Sequence, residues 1–285
     1  MTSILKPLEL VWRGVNRLRR ALYRVGVLKS RRLPRPVISV GNLTAGGSGK
    51  TPAVIAIARY LTRRGFTVAV LSRGYGRSGN EPGLVTSLDA GRFGDEPVLI
   101  KSKTTNTHVI VGPKRYDNAI RFLDQNDCDL FILDDGFQHL QLARDLDVVI
   151  NAGSGVMREG RSALADAGVV IQRNLRVAVP EGLTLRRIFA FAGLADDEQF
   201  FASLRANGLN VVATLGFRDH HRYTAADLSS IKEAARAAGA EAIVTTEKDA
   251  VKIDDRDIIA IAAEMIIEPA VLEAIAAKIS RSLVD

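Results

Sequence analysis

Apolar positions near the start of the chain recur at three- and four-residue steps: Leu5, Leu8, Val11, Trp12, Val15, Leu18, Leu22 and Val25. That spacing predicts an amphipathic helix, which Pro34 and Pro36 bring to an end. From residue 37 the pattern changes to short β-branched runs, at 37–40, 67–71, 108–111, 130–133 and 147–150. These alternate with helical patterns at 52–64 and 114–125, the signature of an α/β sheet covered by helices. Residues 151–185 are less regular. A second alternation opens at Arg187-Ile188-Phe189-Ala190-Phe191, with helices at 197–207, 225–238 and 269–282 and strands near 210–214, 242–245 and 257–262. The chain therefore divides into a helical segment over 1–33, a larger α/β domain over 34–180 and a smaller α/β domain over 181–285 that borders a cleft.

Charge sharpens this division. Residues 1–35 carry ten basic residues and one acid, Glu9, a net of +9; the whole chain is +7, which leaves −2 for the rest. The basic character thus belongs to one terminal segment, whereas a nucleic-acid enzyme spreads it over a groove or face. A Leu/Val/Trp stripe opposite arginines suits the headgroup boundary of an anionic membrane, and no uncharged stretch is long enough to span one. The alternative is a helix packed on the protein's own core with its arginines solvated. The single cysteine, Cys128, excludes an internal disulfide framework, and together with the lack of a signal-peptide pattern it points to the reducing cytosol.

Candidate chemistry begins after the strand at 37–40. Gly41-Asn42-Leu43-Thr44-Ala45-Gly46-Gly47-Ser48-Gly49-Lys50-Thr51-Pro52 leads into the helical pattern Ala53–Leu61. Strand, glycine loop, Gly-Lys-Thr and helix is the order a phosphate loop needs, because backbone N–H groups and a helix N-terminus then face the phosphates. Residues Thr44, Ala45, Gly46, Gly47, Ser48, Gly49, Lys50 and Thr51 are the expected ATP contacts, with Lys50 on the β/γ-phosphates and the Thr51 hydroxyl on Mg²⁺. Thr44 stands where the strict pattern has glycine, so the loop is a variant. Gly74-Tyr75-Gly76-Arg77-Ser78-Gly79 also fits a dinucleotide fingerprint, but it runs into a turn rather than a helix, which excludes that site.

The apolar run Asp129–Leu133 ends in Asp134-Asp135-Gly136-Phe137-Gln138-His139. A carboxylate at the end of a buried strand is where a phosphate-loop enzyme holds Mg²⁺, so Asp134 and Asp135 are the metal candidates. Asp95, in Gly94-Asp95-Glu96-Pro97, reads as a loop acid with nothing in its spacing to single it out. His220 and His221 lie in a polar turn, and no His/Cys zinc spacing is present. A guanine-specific switch wants Asn-Lys-x-Asp; Thr246-Glu247-Lys248-Asp249 has its lysine one place late.

Taken together, these segments resemble the tetraacyldisaccharide 4′-kinases of lipid A biosynthesis. The likeness rests on the loop Val40–Pro52, Ser72-Arg73-Gly74-Tyr75-Gly76-Arg77, Gly94–Pro97, Asp134–His139, Phe191-Ala192-Gly193-Leu194, Asp219-His220-His221-Arg222-Tyr223 and Thr246–Lys252, in family order. It implies a P-loop NTPase-like α/β/α domain, a second, smaller α/β/α domain and an N-terminal membrane-surface helix on the cytoplasmic face of the bacterial inner membrane. It also implies transfer of the ATP γ-phosphate to the 4′-hydroxyl of a tetraacylated glucosamine disaccharide 1-phosphate, giving lipid IVA. In that setting Asp95 becomes the general base supported by His220, and Lys50 and Mg²⁺ serve the nucleotide. Tyr75, Arg115, Gln138, His139 and His221 become candidates for the acceptor. Neither a nucleic acid nor a protein partner is expected. One departure matters: Asn151–Gly160 shortens the family's usual stretch before Glu159 and weakens any role carried over to it. The competing reading is a membrane-tethered P-loop ATPase switch that binds a protein partner.

Overall fold

The computed structural model describes residues 5–43, 49–79, 81–151 and 167–284. Helix α1 (Leu5–Arg24) leads through a short connection to β1 (Val37–Asn42). The first half continues with α2 (Lys50–Arg63), β2 (Val68–Ser72), β3 (Gly83–Leu84), α3 (Ala90–Phe93), α4 (Asp95–Lys103) and β4 (Thr107–Val111). It ends with α5 (Arg115–Leu123), β5 (Leu130–Asp134), β6 (Leu146–Asn151) and β7 (Val169–Gln172). The second half holds β8 (Leu175–Ala178), β9 (Arg187–Ala192), α6 (Asp197–Ala206), β10 (Asn210–Gly216) and α7 (Ala225–Ala237). It closes with β11 (Ala242–Thr246), α8 (Glu247–Ala250), β12 (Ile258–Met265) and α9 (Pro269–Val284).

The first sheet has the order β3-β4-β2-β5-β1-β6-β7, parallel except for the short β3–β4 pair. Its central strands β1, β2 and β5 are buried on both faces, so they read as continuous apolar runs. Within them the faces still alternate. Ile38, Val40, Val68, Val70, Leu130 and Ile132 face the layer holding α2 and α4, while Val37, Ala69, Leu71, Phe131 and Leu133 face α5. The second sheet, β10-β9-β11-β12-β8, is parallel except for β12–β8. Ile188 and Ala190 of β9 pack against Phe201 and Leu204 of α6, and Phe189 and Phe191 against Ile231 and Ala235 of α7. A Thr224/Asp227 capping box fixes the start of α7 by satisfying two orphan N–H groups.

Two crossings join the halves, and they are hydrogen-bonded to each other. β8 and β12 pair antiparallel, with Leu175 opposite Met265. Beyond β12 the chain returns to the first sheet, where Ile275, Ala276 and Ile279 of α9 are buried in the same core as α2. Each large aliphatic chain so buried contributes about 1.5–3 kcal/mol, so α9 acts as a clasp on the first sheet although it follows the second.

Three segments differ from the sequence reading. Gly94–Pro97 is not a loop: Gly94 adopts φ 93° and Asp95 opens α4. Pro97 lies in the first turn, where its missing N–H costs nothing. The stretch 151–185 contains β7 and β8, and β12 runs on to Met265 to reach β8. The shortened segment's residues 152–160 and the loop residues Thr44, Ala45, Gly46, Gly47 and Ser48 lie outside the described residues.

Candidate active site

β1 stands between β5 and β6, so the chain leaves its carboxyl end at the point where the strand order reverses, beside the carboxyl end of β5. Open α/β sheets bind ligands at such a switch point. The approach is tight, since a Cβ on Gly41 would fall 2.5 Å from Phe137 Cβ. Asn42 is fully buried; its carbonyl accepts from Gln138 Nε2 at 2.8 Å, and its Oδ1 accepts from Lys50 Nζ at 3.3 Å. Gly49 turns the chain at φ 83°, and Lys50 and Thr51 open α2. Lys50 Nζ also lies 3.3 Å from Asp135 Oδ1.

β5 ends with Asp134, only 3% exposed and accepting from Ser72 Oγ at 3.0 Å. Asp135 follows at φ 49° and breaks the strand, so the adjacent carboxylates point in different directions. Burial, then the nearby charges of Glu96 and Asp135, push the Asp134 carboxyl up to about 7. Among the described residues no group of three or more His, Cys, Asp or Glu forms a closed metal cage. Two carboxylates with a hydroxyl at one cavity wall, undercompensated as they stand, nevertheless match the partial oxygen set Mg²⁺ takes when phosphates complete it.

An acid whose pKa is raised on folding loses stability as pH rises, here between about 4 and about 7, where the unfolded chain has already released its proton. Asp134→Asn keeps the acceptor for Ser72 and removes this cost. The melting temperature of the ligand-free protein is therefore expected to rise above pH 7, by about 2–4 °C for each kcal/mol recovered, and to converge on wild type near pH 4. A lower melting temperature at pH 8 would contradict the burial cost assigned to Asp134.

Asp95, the first residue of α4, is 4% exposed and accepts from the Glu96 N–H at 2.9 Å. His220 comes to it from the second half of the chain. Held at φ 59°, its ring places Nδ1 2.9 Å from Asp95 Oδ2 and 3.1 Å from Oδ1. Burial alone would raise the Asp95 carboxyl, but the His220 hydrogen bond and the ammonium charges of Lys248 and Lys252 outweigh it and hold the carboxyl below its ordinary value. Lys248 and Lys252 lie one helical turn apart around α8, 4.0 and 3.9 Å from Asp95 Oδ2. Tyr75 packs its ring 4.7 Å from that of His220.

A cavity of about 820 Å³ lies between the halves, with Lys50, Thr51, Asp134, Asp135, Tyr75 and His220 on its walls and Leu175, Val177, Leu194 and Phe200 at an apolar end. A second, of about 660 Å³, is bordered by Asp95, Lys252 and Arg222, and shares Tyr75 and His220 with the first. The structure thus brings together Lys50, Thr51, Asp134, Asp135, Asp95, His220 and Tyr75.

It places the remaining candidates elsewhere. His221 turns to Asp227, 3.2 Å from its Oδ2, and stacks on Phe217. Arg115, 3% exposed, is pushed down to about 10 by burial and by Arg73 beside it. His139 is pushed down to about 4 by burial and by Arg115, Arg73, Arg144 and Arg19. None of Arg115, Gln138, His139 and His221 lines either cavity. Glu96, Lys248 and Lys252 were not singled out from the sequence; the four-residue step between the two lysines was the available signal, since it puts them on one helical face.

A family model described as tetraacyldisaccharide-1-P 4′-kinase (LpxK) matches residues 1–184 and 170–280. The tetraacyldisaccharide 4′-kinase of Pelobacter propionicus is 41% identical over 89% of this chain and 83% of its own. That of Desulfotalea psychrophila is 37% identical over 88% of both. A crystal structure of LpxK from Aquifex aeolicus in complex with ATP superposes with a TM-score of 0.78 at 28% identity, covering 98% of each chain.

Proposed function

The chain belongs to the tetraacyldisaccharide-1-phosphate 4′-kinase family, and from that premise we propose that it transfers the γ-phosphate of ATP to the 4′-hydroxyl of a tetraacylated disaccharide 1-phosphate. The observation that carries this reading is the Asp95–His220 pair, assembled from both halves of the chain beside a cavity that also holds Lys50 and Asp134. A sugar hydroxyl must lose its proton as the new bond to phosphorus forms, and a carboxylate held beside an imidazole can take it.

In this reading the loop from Thr44 to Thr51 cradles the phosphates, and Lys50 neutralises charge on the β/γ bridge. Thr51, Asp134 and Asp135 would hold Mg²⁺, which neutralises phosphate charge when bound. Asp95 takes the proton of the acceptor hydroxyl, the freed oxygen bonds to the γ-phosphorus, and the bond from that phosphorus to the bridging oxygen breaks to leave ADP. His220 orients Asp95. Arg115, clustered with Arg73 and Arg144 around the neutral His139 imidazole, offers positive charge for the acceptor's own phosphate. The test is label transfer from γ-labelled ATP with and without the acceptor in mixed micelles. Label on the lipid supports the kinase; lipid-independent phosphate release moves the weight to the membrane-tethered ATPase.

Among the described residues no helix is long and apolar enough to cross a membrane. Helix α1 leaves Val15 and Leu18 exposed, Leu18 at 62%, and Val25 just past its end is exposed as well. Among its described side chains, Asn16 is buried, and Arg20 donates to the Phe137 carbonyl at 3.1 Å with its guanidinium 4.2 Å from that ring's centre. Exposed Val15, Leu18 and Val25, amid arginines, support placement in an anionic headgroup layer at the cytoplasmic face of the inner membrane. Leu18→Glu with Val25→Glu is expected to lower partition onto anionic vesicles at least about tenfold, since each lost apolar contact is worth more than the 1.4 kcal/mol of a tenfold change. Unchanged co-sedimentation would reject the interfacial placement.

A further inference from the structure

We propose that Lys248 is a positioning residue that fixes His220 as the neutral tautomer carrying its proton on Nδ1, and so keeps Asp95 free to act as base. The proposal rests on the reading of Asp95 given above.

The ring of His220 is addressed from both sides. Nδ1 lies within hydrogen-bond distance of both Asp95 oxygens, at 2.9 and 3.1 Å. Nε2 lies 3.2 Å from Lys248 Nζ. An ammonium carries three donors and no acceptor, so the ring nitrogen facing it must present its lone pair. The one proton of the neutral ring is then on Nδ1, where it is donated to Asp95. Asp219, the other group near Nε2, is too far to accept from it: its Oδ2 stands at 3.7 Å. Its Oδ1 instead takes a second Lys248 proton at 3.1 Å.

Without the ammonium, Asp219 and Asp95 would flank the imidazole with two carboxylates and favour a second proton on Nε2. Asp95 would then be tied in a full ion pair, a weaker acceptor for the substrate's proton. The groups facing His220 are Asp95 and Glu96 from α4, Tyr75 from the turn after β2, and Asp219 and Lys248 from the second half, with Lys252 beyond Asp95. Lys248 is the one that meets Nε2 with donors only.

The turn carrying Lys248 is built to hold still. Asp249 is fully buried, accepts from Gly193 N, Thr246 Oγ1 and Lys252 Nζ, and so anchors α8 at its first turn. Thr246 caps it by accepting from the Asp249 N–H. Residues of both halves meet at the ammonium, because Glu96 lies 3.8 Å away.

The test uses the full chain with Lys248→Met, Lys248→Arg and Asp95→Asn, and reads His220 tautomer by ¹⁵N NMR, assigned against His220→Asn. Wild type should show a proton on Nδ1 and a bare Nε2. Lys248→Met should shift His220 toward the Nε2-protonated or doubly protonated ring. It should also lower kcat about tenfold or more with KM for ATP within about twofold, and move the acidic limb of the kcat profile to higher pH. Lys248→Arg, which still donates to Nε2, should recover most of kcat. A wild-type ring with its proton on Nε2 overturns the proposal, even if the methionine variant folds poorly. So does a folded Lys248→Met with unchanged kcat and pH profile. Activity retained in Asp95→Asn would instead overturn the underlying base reading.

Discussion

Asp95→Asn should lower kcat for transfer to the lipid by about 10²–10⁴-fold, the span typical of a lost general base, with ATP affinity close to wild type. The asparagine keeps the shape and can still accept from the Glu96 N–H, but its amide takes no proton at neutral pH. A loss in kcat with an unchanged KM for ATP separates chemistry from nucleotide binding. The same change has a stability signature. Because the Asp95 carboxyl is held below its ordinary value in the fold, it contributes stability that is present above the unfolded pKa of about 4 and is lost as pH falls through the lower folded one. Asp95→Asn should therefore be less stable than wild type at pH 7, and the difference should shrink in acid. This is the opposite of Asp134→Asn, although both carboxyls are buried. The contrast lies in their neighbours: Asp95 faces two lysines and an imidazole, Asp134 two further carboxylates.

Lys50→Met is the second large effect expected, roughly a 10²–10³-fold loss of kcat, as for removal of one fixed donor aimed at developing charge. Lys50 starts α2 and reaches across to Asn42 and Asp135, each at 3.3 Å, so its ammonium is held at the ends of β1 and β5. Arginine should not substitute well, since a planar fork does not reproduce a compact point charge. Steady-state kinetics on Lys50→Met and Lys50→Arg check this; near-normal kcat in either would remove Lys50 from the phosphate-handling role.

Much of this arrangement was legible in the residue order. The short β-branched runs and the helical patterns located β1, β2, β4, β5, β6 and the large helices, because strands buried on both faces need unbroken apolar runs. Helix α4 was hidden because Val98-Leu99-Ile100 is apolar without helical spacing and follows a Gly and a Pro, both ordinarily loop residues. Strand β8 alternates half-buried and exposed residues over only four positions, and it is specified by its partner β12 rather than by itself. Helix α9 was visible as a helix, but its place on the first sheet is a contact between distant parts of the chain that no local pattern encodes. The choice between His220 and His221 was likewise invisible to spacing. A left-handed backbone at His220 aims that ring at Asp95, while His221 is taken up by Asp227.

Every residue role above depends on the crevice between the two sheets passing phosphate to a lipid alcohol and not to water. Mass spectrometry with ³¹P NMR of the lipid recovered after incubation with ATP and Mg²⁺ tests it most directly. The expected product is heavier by one phosphate, with a new phosphomonoester on the 4′ oxygen and the 1-phosphate unchanged. Unmodified lipid alongside free phosphate would contradict it.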